Sequence, residues 1–449
     1  MSEIITYSYR QSSSLHHTAQ TPQLLLSAYS EVEKSQLSCF FQGVIRESYM
    51  LSRCLLVLSN VVKSSFNLSP FQLALLKDPI VTAGNQQLRF EGFSHCAGVY
   101  ARVDVMPGAL DGVFPASGTV NVDFNQPMLN ALAAVGRNDA LLLSVGEKEI
   151  AVQTSPAENI IERKVPLPVK WIKGLTSVQL LLAAAGEVHT FNKMQALQLF
   201  QSIPNGQPKA DYYLVTRGNK PLFSPVNTSK GICIGGIHRL KLLEPLLPLA
   251  DQLRVFADPD MQATTWQLYF GQVRFSLSLS RECWRGFSGE GAALESLLAD
   301  IPDSLLAAMD KYSYANQAFN TTLLAVTENM SFKQADSLTG RMAAMGLLGY
   351  DPDARHYFYR RLPYKPSRIL QLNPRMKEAE QLLAEDKVML LSTADEKIEA
   401  RVAGSQVWHT VVIDQGKARC TCTWFAKHQG ERGACKHILA VKKKSDSRF

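Results

Sequence analysis

The sequence predicts a multidomain α+β protein: a helical N-terminal region, a central α+β region, a winged-helix-like module and a small C-terminal module built from a β-hairpin and a helix. Three observations predict it. The chain has 449 residues, enough for about three domains. Its apolar spacing switches between helical and alternating periods along the chain. Three of its eight cysteines fall within sixteen residues near the C-terminus, followed closely by a histidine. With 46% hydrophobic and 19% charged residues, the composition excludes a wholly disordered or fibrous chain.

Residues 1–77 read as a polar Ser/Gln/Thr-rich arm over 1–22 followed by helices, with apolar residues at helical spacing over 24–34, 40–60 and 69–76. Residues 78–299 form the central region. Strands are expected at Ile80–Thr82, Gln87–Glu91, Val99–Val105, Gly118–Phe124, Ala140–Val145 and Glu149–Gln153, with a helix at Pro127–Val135. Residues 166–203 look helical, Pro166 and Pro168 delaying the onset. A second β-rich tract runs through Tyr212–Thr216, Gly231–Gly236, Leu253–Ala257, Thr264–Phe270 and Val273–Leu279, with a helix expected over Leu240–Ala250 that Pro245 and Pro248 weaken. The helix–strand–hairpin order around 127–153 recurs around 240–279. It suggests a duplicated unit loosely similar to the repeated fold of sliding DNA clamps, an order that many α+β folds share.

Residues 300–363 have the order expected of a winged helix: helices at Pro302–Tyr312, Thr321–Glu328 and Phe332–Met345, Ser331 capping the last, then a hairpin around Asp351–Ala354. The hairpin carries Arg355, Arg360 and Arg361 with Tyr357 and Tyr359 between them, an arrangement suited to phosphate contact and stacking; packing or a protein contact is the alternative. Residues 364–404 read as a connector, with a helix at Pro374–Glu385 and strands at Val388–Ser392 and Glu399–Val402.

The zinc module spans 405–441. Cys420 and Cys422 form one close pair, and Cys435 and His437 form a second after a gap of twelve residues. Zinc in structural sites takes four Cys or His ligands in a tetrahedron, and two close pairs joined by a loop supply them. Val407–Ile413 and Ala418–Cys422 flank the turn Asp414–Lys417 as hairpin strands, and a helix begins at Cys435. Three thiolates and an imidazole close the sphere, so one structural Zn2+ is expected. His428, in the loop, is a substitute ligand or a solvated histidine. The other five cysteines fit no disulfide framework and read as small buried hydrophobes.

The pattern C-x-C-x(12)-C-x-H closing in CKHILAV resembles the SWIM zinc finger, and all four of its ligand positions are present. Beyond the finger, the segments LRFEGFSHCAGVYARVDV, GTVNVDF, ECWRGFSGEG, GLLGYDPDARHYFYRRLP and CTWFAKH make the whole chain similar to bacterial SWIM zinc-finger proteins of this length. That resemblance implies a cytoplasmic, non-enzymatic protein often encoded beside MoxR-type AAA+ ATPases and von Willebrand factor A-domain proteins, and hence a substrate-binding or adaptor role.

Net charge is +7. From Gln415 onward nine Lys/Arg face only Glu431 and Asp446, so the last 35 residues carry the whole excess. Lys436 and the tail 442–449, with Lys442, Lys443 and Lys444, are therefore the expected nucleic-acid contacts of the finger. No run approaches the roughly 18–20 apolar residues of a membrane helix, and the N-terminus has no secretory pattern, so a cytoplasmic location without membrane contact is expected. No metalloprotease, P-loop, dinucleotide or nucleophile-elbow motif occurs. Gly231–Gly236 lacks the Gly-Lys-Ser/Thr ending of a phosphate loop. Arg281–Glu290 suggests a turn anchored by Trp284 or a phosphate- or peptide-holding loop, and His95-Cys96 would face opposite ways on a strand. The expectation is a non-enzymatic DNA- or RNA-binding zinc protein; the alternative is a protein-binding adaptor.

Overall fold

The computed structural model describes residues 4–7, 14–18, 21–26, 28–29, 39–64, 79–122, 124–145, 165–218, 220–283, 286–288, 293, 296–297, 301–364, 373–394, 397–404, 407–430 and 433–446. The expected helix over 69–76, the strand Glu149–Gln153 and the side chains of Trp284 and Arg285 lie outside these. Among the described residues no helix is long and apolar enough to cross a membrane.

The architecture is α+β with several sheets. Its centre is an antiparallel nine-stranded sheet in the order Gly186–Asn192, Gln252–Ala257, Ala263–Phe270, Val273–Ser280, Val99–Val105, Gln87–Phe93, Ile80–Gly84, Gly118–Val122 and Ala28–Tyr29. Two three-stranded meanders, 80–105 and 252–280, join edge to edge where Val273–Leu279 pair with Val105–Val99. Strict alternation gives the sheet two different faces. Leu88, Phe90, Val99, Ala101, Val103, Val105, Phe275 and Leu277 point to one side and pack with helix α1 (Ser48–Lys63) through Leu51, Leu55, Leu58 and Val61. Arg89, Glu91, Tyr100, Arg102, Asp104 and Arg274 point to the other side, yet they too are buried.

The second face is covered by later parts of the chain. Helix α2 (Gln126–Ala134) belongs to the first side; helix α3 (Val169–Ala184) crosses the second with Trp171, Ile172 and Leu175 against Phe93 and Tyr100. Beside it lies the hairpin Leu348–Asp351/His356–Tyr359. Arg274 pairs with Asp104 at 2.9 Å, with Asp351, and with Asp353 at 2.8 Å; Arg102 pairs with Asp104 at 3.0 Å and donates to the Tyr350 carbonyl at 2.7 Å. Arg89 stacks on Phe358, 3.9 Å from the ring centre. Arg360 bonds Glu91 and the Leu175 carbonyl. Burial alone would raise the Asp351 carboxyl, but Arg274 and Arg102 overcome it and hold the group well below the usual carboxylate range.

Several expectations change here. The N-terminal region is not wholly helical: Thr21–Leu26 and Phe41–Ile45 are strands, and Ile4–Tyr7 and Ser14–Thr18 of the arm also pair. Phe41–Ile45 alternates buried and half-buried residues, the period of a strand. Gly43 lies so close to Gly112 on the neighbouring strand that neither position has room for a Cβ. Helicity over 166–203 is broken by the strand Gly186–Asn192, whose last residue caps helix α4 (Lys193–Gln201) in a capping box with Gln195. The helix expected over 240–250 is two 3-10 segments, Ile237–Leu243 and Leu247–Leu249. The second copy of the expected repeat thus opens on 3-10 turns, and the second strand of the first copy's hairpin lies outside the described residues; strand, Asn cap, helix recurs at 118–134 (Asn125) and 186–201 (Asn192).

Over 300–363 the chain forms helix α5 (Asp303–Asn316), a short strand Ala318–Phe319, helix α6 (Thr321–Thr327) and helix α7 (Phe332–Ala344, capped by Ser331), then the hairpin. Ala318–Phe319, not anticipated from sequence, adds a third strand beside His356–Tyr359. The connector and the finger share one antiparallel sheet, Val388–Ala394, Lys397–Ala403, Trp408–Asp414 and Lys417–Cys420. Helix α8 (Pro374–Ala384), helix α9 (Thr423–His428) and helix α10 (Lys436–Asp446) complete this part. Helix α10 runs through the residues expected to be a separate tail beginning at 442.

Candidate metal centre

The finger hairpin turns on two residues, Gln415 at φ 46° and Gly416 at φ 77°. Both lie in the left-handed region, which gives the tight turn that matches strand twist. The resulting register, Asp414 opposite Lys417 and Val411 opposite Cys420, aims Cys420 inward with Val411 and Ile413. Cys422 is the N-cap of helix α9, its sulfur accepting from the Phe425 N–H at 3.4 Å. Gln429 and Gly430, both at positive φ, end that helix and return the chain. Cys435 directly precedes helix α10, which carries His437 in its first turn; the Ile438 N–H bonds the Cys435 sulfur.

The ligand atoms of Cys420, Cys422, Cys435 and His437 all lie within 4.8 Å of one another, and all four residues are buried. Cys420 Sγ is 3.7 Å from His437 Nδ1. A tetrahedron with Zn–S of about 2.3 Å has edges of roughly 3.8 Å, so the four donors fit one zinc ion. The hydrogen bond from Cys420 draws the Cys435 thiol down to about 4, and the same contact holds Cys420 above its ordinary value. Burial pushes Cys422 up. Buried thiols crowded together in this way are the donor set that a divalent cation converts to thiolates. His428 is not among the ligands; its ring lies edge-on to Trp424, 4.8 Å away. The imidazole of His409 lies 4.5 Å from that of His437 and backs it.

A hydrophobic core stands behind the donors. Ile438, Leu439 and Val441 of helix α10 meet Met376, Ala379 and Leu382 of helix α8 and Val402, Val411 and Ile413 of the sheet. Charge follows the same seam: Lys436 pairs with Glu378 at 3.1 Å, Lys443 with Glu380 at 2.8 Å, and Lys444 with Asp386 at 2.9 Å and the Val388 carbonyl at 2.7 Å. Arg375 bonds the Ala434 carbonyl at 2.7 Å and covers the Trp424 ring at 4.5 Å. The carboxylates Glu378, Glu380, Glu385 and Asp386, in helix α8 and just after it, were legible, but their lysine partners are some sixty positions away and no local pattern links the two.

The structure does not gather the expected nucleic-acid residues. Arg360 is fully buried against Glu91, so it has no face to offer a phosphate: the alternation that placed it on the hairpin aims it into the sheet. Arg361 is tied to Asp310 at 3.2 Å. Arg355, at the hairpin tip, is exposed. Lys436 and Lys443 pair with Glu378 and Glu380 of helix α8, Lys444 pairs with Asp386 just after it, and Lys442 is also engaged. The three other segments singled out in sequence meet around one buried side chain. Arg239 donates to the carbonyls of Gly98, Gly235 and Ser280, which fixes 94–98, 231–236 and 280–287 to one another. Gly286, at φ 54°, packs on the Ala97 carbonyl where a Cβ would collide. These glycines serve close backbone packing.

No curated protein matches the chain. Among solved structures, it is similar to the proliferating cellular nuclear antigen of Entamoeba histolytica (8% identity, TM-score 0.34, 54% of this chain and 98% of that one). It is likewise similar to a complex of two such antigens from Sulfolobus tokodaii (8%, 0.34, 53% and 98%). Likeness at that level carries no argument. The family model of the SWIM zinc finger matches residues 409–446, the span that brings the four ligands together. Residues 409–446 are a SWIM zinc finger with a site for one zinc ion.

Proposed function

We propose that the protein is a non-enzymatic, zinc-stabilised nucleic-acid-binding protein whose finger makes the contact. The closed Cys3His donor set supports a structural ion, since it leaves no coordination position for water or substrate. When bound, the ion ties strand Lys417–Cys420 to helix α10; Cys420, Cys422, Cys435 and His437 hold it, and the chain supplies the surface. The observation that carries the reading is that Lys417, Arg419 and Lys427 are exposed on this small unit with no acidic partner among the described residues. Contacts of that kind release counterions, so affinity falls steeply with salt.

Fluorescence anisotropy of DNA and RNA at two salt concentrations tests this. Replacing Lys417, Arg419 and Lys427 with alanine should reduce the salt slope by roughly 0.7–0.9 per lost phosphate contact. Neutralising Lys443 and Lys444 should leave the slope nearly unchanged, because those side chains already pair with Glu380 and Asp386. The segment 303–359 reads as a winged helix, a reading that the helix order and the three-stranded sheet support. Of its expected contacts only Arg355 is exposed and without an acidic partner among the described residues.

A second reading is a protein-binding adaptor, working with a MoxR-type AAA+ ATPase and a von Willebrand factor A-domain protein. Leu323, Val326 and Phe332 favour it: all three are exposed on α6 and the start of α7, where a DNA reader would carry cations.

A further inference from the structure

The sheet that backs the zinc site has an outer face which nothing in the described chain covers. Inward positions alternate regularly: Val388, Ala400, Val402, Val411, Ile413 and Cys420 are all buried. Outward positions are Met389, Glu399, Arg401, Trp408, Thr410, Val412 and Arg419, with Leu391 turned out at a bulge between Leu390 and Ser392. Trp408 is 54% exposed, and Met389 and Leu391 are each 53% exposed. The register puts Met389, Arg401 and Thr410 in one row across the sheet, with Ser392, Glu399, Val412 and Arg419 in the next. Lys397 holds Glu399 at 2.8 Å and neighbours Asp414. Arg401, Arg419 and, across from Asp414, Lys417 are exposed and form no salt bridge among the described residues, so the face carries a positive surplus.

We propose that this face is a platform for single-stranded nucleic acid: a base stacks on Trp408, Met389 and Leu391 extend the apolar floor, and Arg401 and Arg419 hold the phosphates on either side. The proposal rests on the nucleic-acid reading above and names its substrate class. The face presents no helix to enter a duplex groove, whereas unstacked bases can lie on exposed aromatic rings with guanidinium groups alongside. The surplus of positive charge selects a polyanion over an apolar peptide.

The test uses the full-length, zinc-loaded chain and a mixed-sequence DNA or RNA strand of about 15 nucleotides, within the site sizes such platforms cover. Trp408→Ala should weaken single-strand binding roughly 5- to 100-fold. Trp408→Phe should keep most of it, and Arg401→Glu with Arg419→Glu should abolish it. Zinc content should stay at one ion in every variant, which separates loss of contact from loss of folding. If the intact protein binds but Trp408→Ala and the double charge reversal bind as well as the parent, the platform is overturned while the nucleic-acid reading stands. Equal affinity for a matching duplex would also overturn it, since a duplex offers no free base face. No binding of any strand at low salt overturns both. Loss of a defined protein partner in Trp408→Ala, with nucleic-acid binding intact, assigns the face to protein and overturns the platform.

Discussion

Two clusters of buried polar groups in this protein are assembled by opposite routes. In the finger, four donors come from residues 420–437, and short-range geometry aims them: a two-residue turn, an N-cap and the first turn of a helix. Under the hairpin 348–359, Arg89, Glu91, Arg102, Asp104, Arg274, Asp351 and Arg360 are collected from both meanders and from a module nearly 250 residues later in the chain. One assembly is a donor set for a metal ion; the other pairs its charges with one another. The finger is therefore fragile to a chelator and the ionic layer to loss of a single partner.

That contrast can be broken from the finger side first. Cys435→Ser should reduce zinc content from one ion to none, measured by elemental analysis. Structural zinc contributes on the order of 10 kcal/mol to such units. Because helix α8 and strands 388–403 share its core, proteolytic sensitivity should extend over 373–446, while the central sheet, which has its own core, stays protected. Cys283→Ser, far from the cluster, should leave zinc at one ion. The next largest effect is expected in the ionic layer. Asp104→Ala leaves Arg102 and Arg274 without their shared carboxylate, and removing one partner of a buried pair costs about 3–5 kcal/mol; denaturant titration reads this directly, with zinc content unchanged.

Acid sharpens the comparison further. The folded-state value of Asp351 is depressed, so its contribution is fully present above the unfolded value of about 4 and is lost as pH falls below it toward the folded value. Tryptophan fluorescence through an acid titration should therefore report the hairpin held on the sheet at neutral pH and weakened below about pH 4. The smallest effect belongs to the basic helix. Lys443→Ala removes a partly exposed pair with Glu380 and should change stability by less than about 1 kcal/mol in the same denaturant titration.

The finger was legible because its information is local: ligand spacing, turn residues and the helix start all lie within one short stretch. The strands of the meanders were legible for the same reason, each alternating over five to eight residues. The fate of their polar sides was not. Arg89, Arg102 and Arg274 look like a solvated face, since the residues that cover them, Asp351 and Phe358, sit in a distant hairpin. Arg360 failed as a nucleic-acid contact on the same account. Gly186–Asn192 was absorbed into the helices around it because it is a short strand between two longer helical patterns, although Asn192 marks the break. The basic C-terminus was read as free charge because an acidic helix some sixty positions earlier cannot be matched to it by spacing alone.

The polar side of the central sheet also bears on how the chain is made. Strands 80–105 and 252–280 leave the ribosome well before the hairpin at 348–359 that will cover them. An oily face held open for that interval would invite association between unfinished chains. Arginines, carboxylates, serines and threonines on that face keep it wetted until its cover arrives, and its closing contacts are then made between charges of opposite sign already in place.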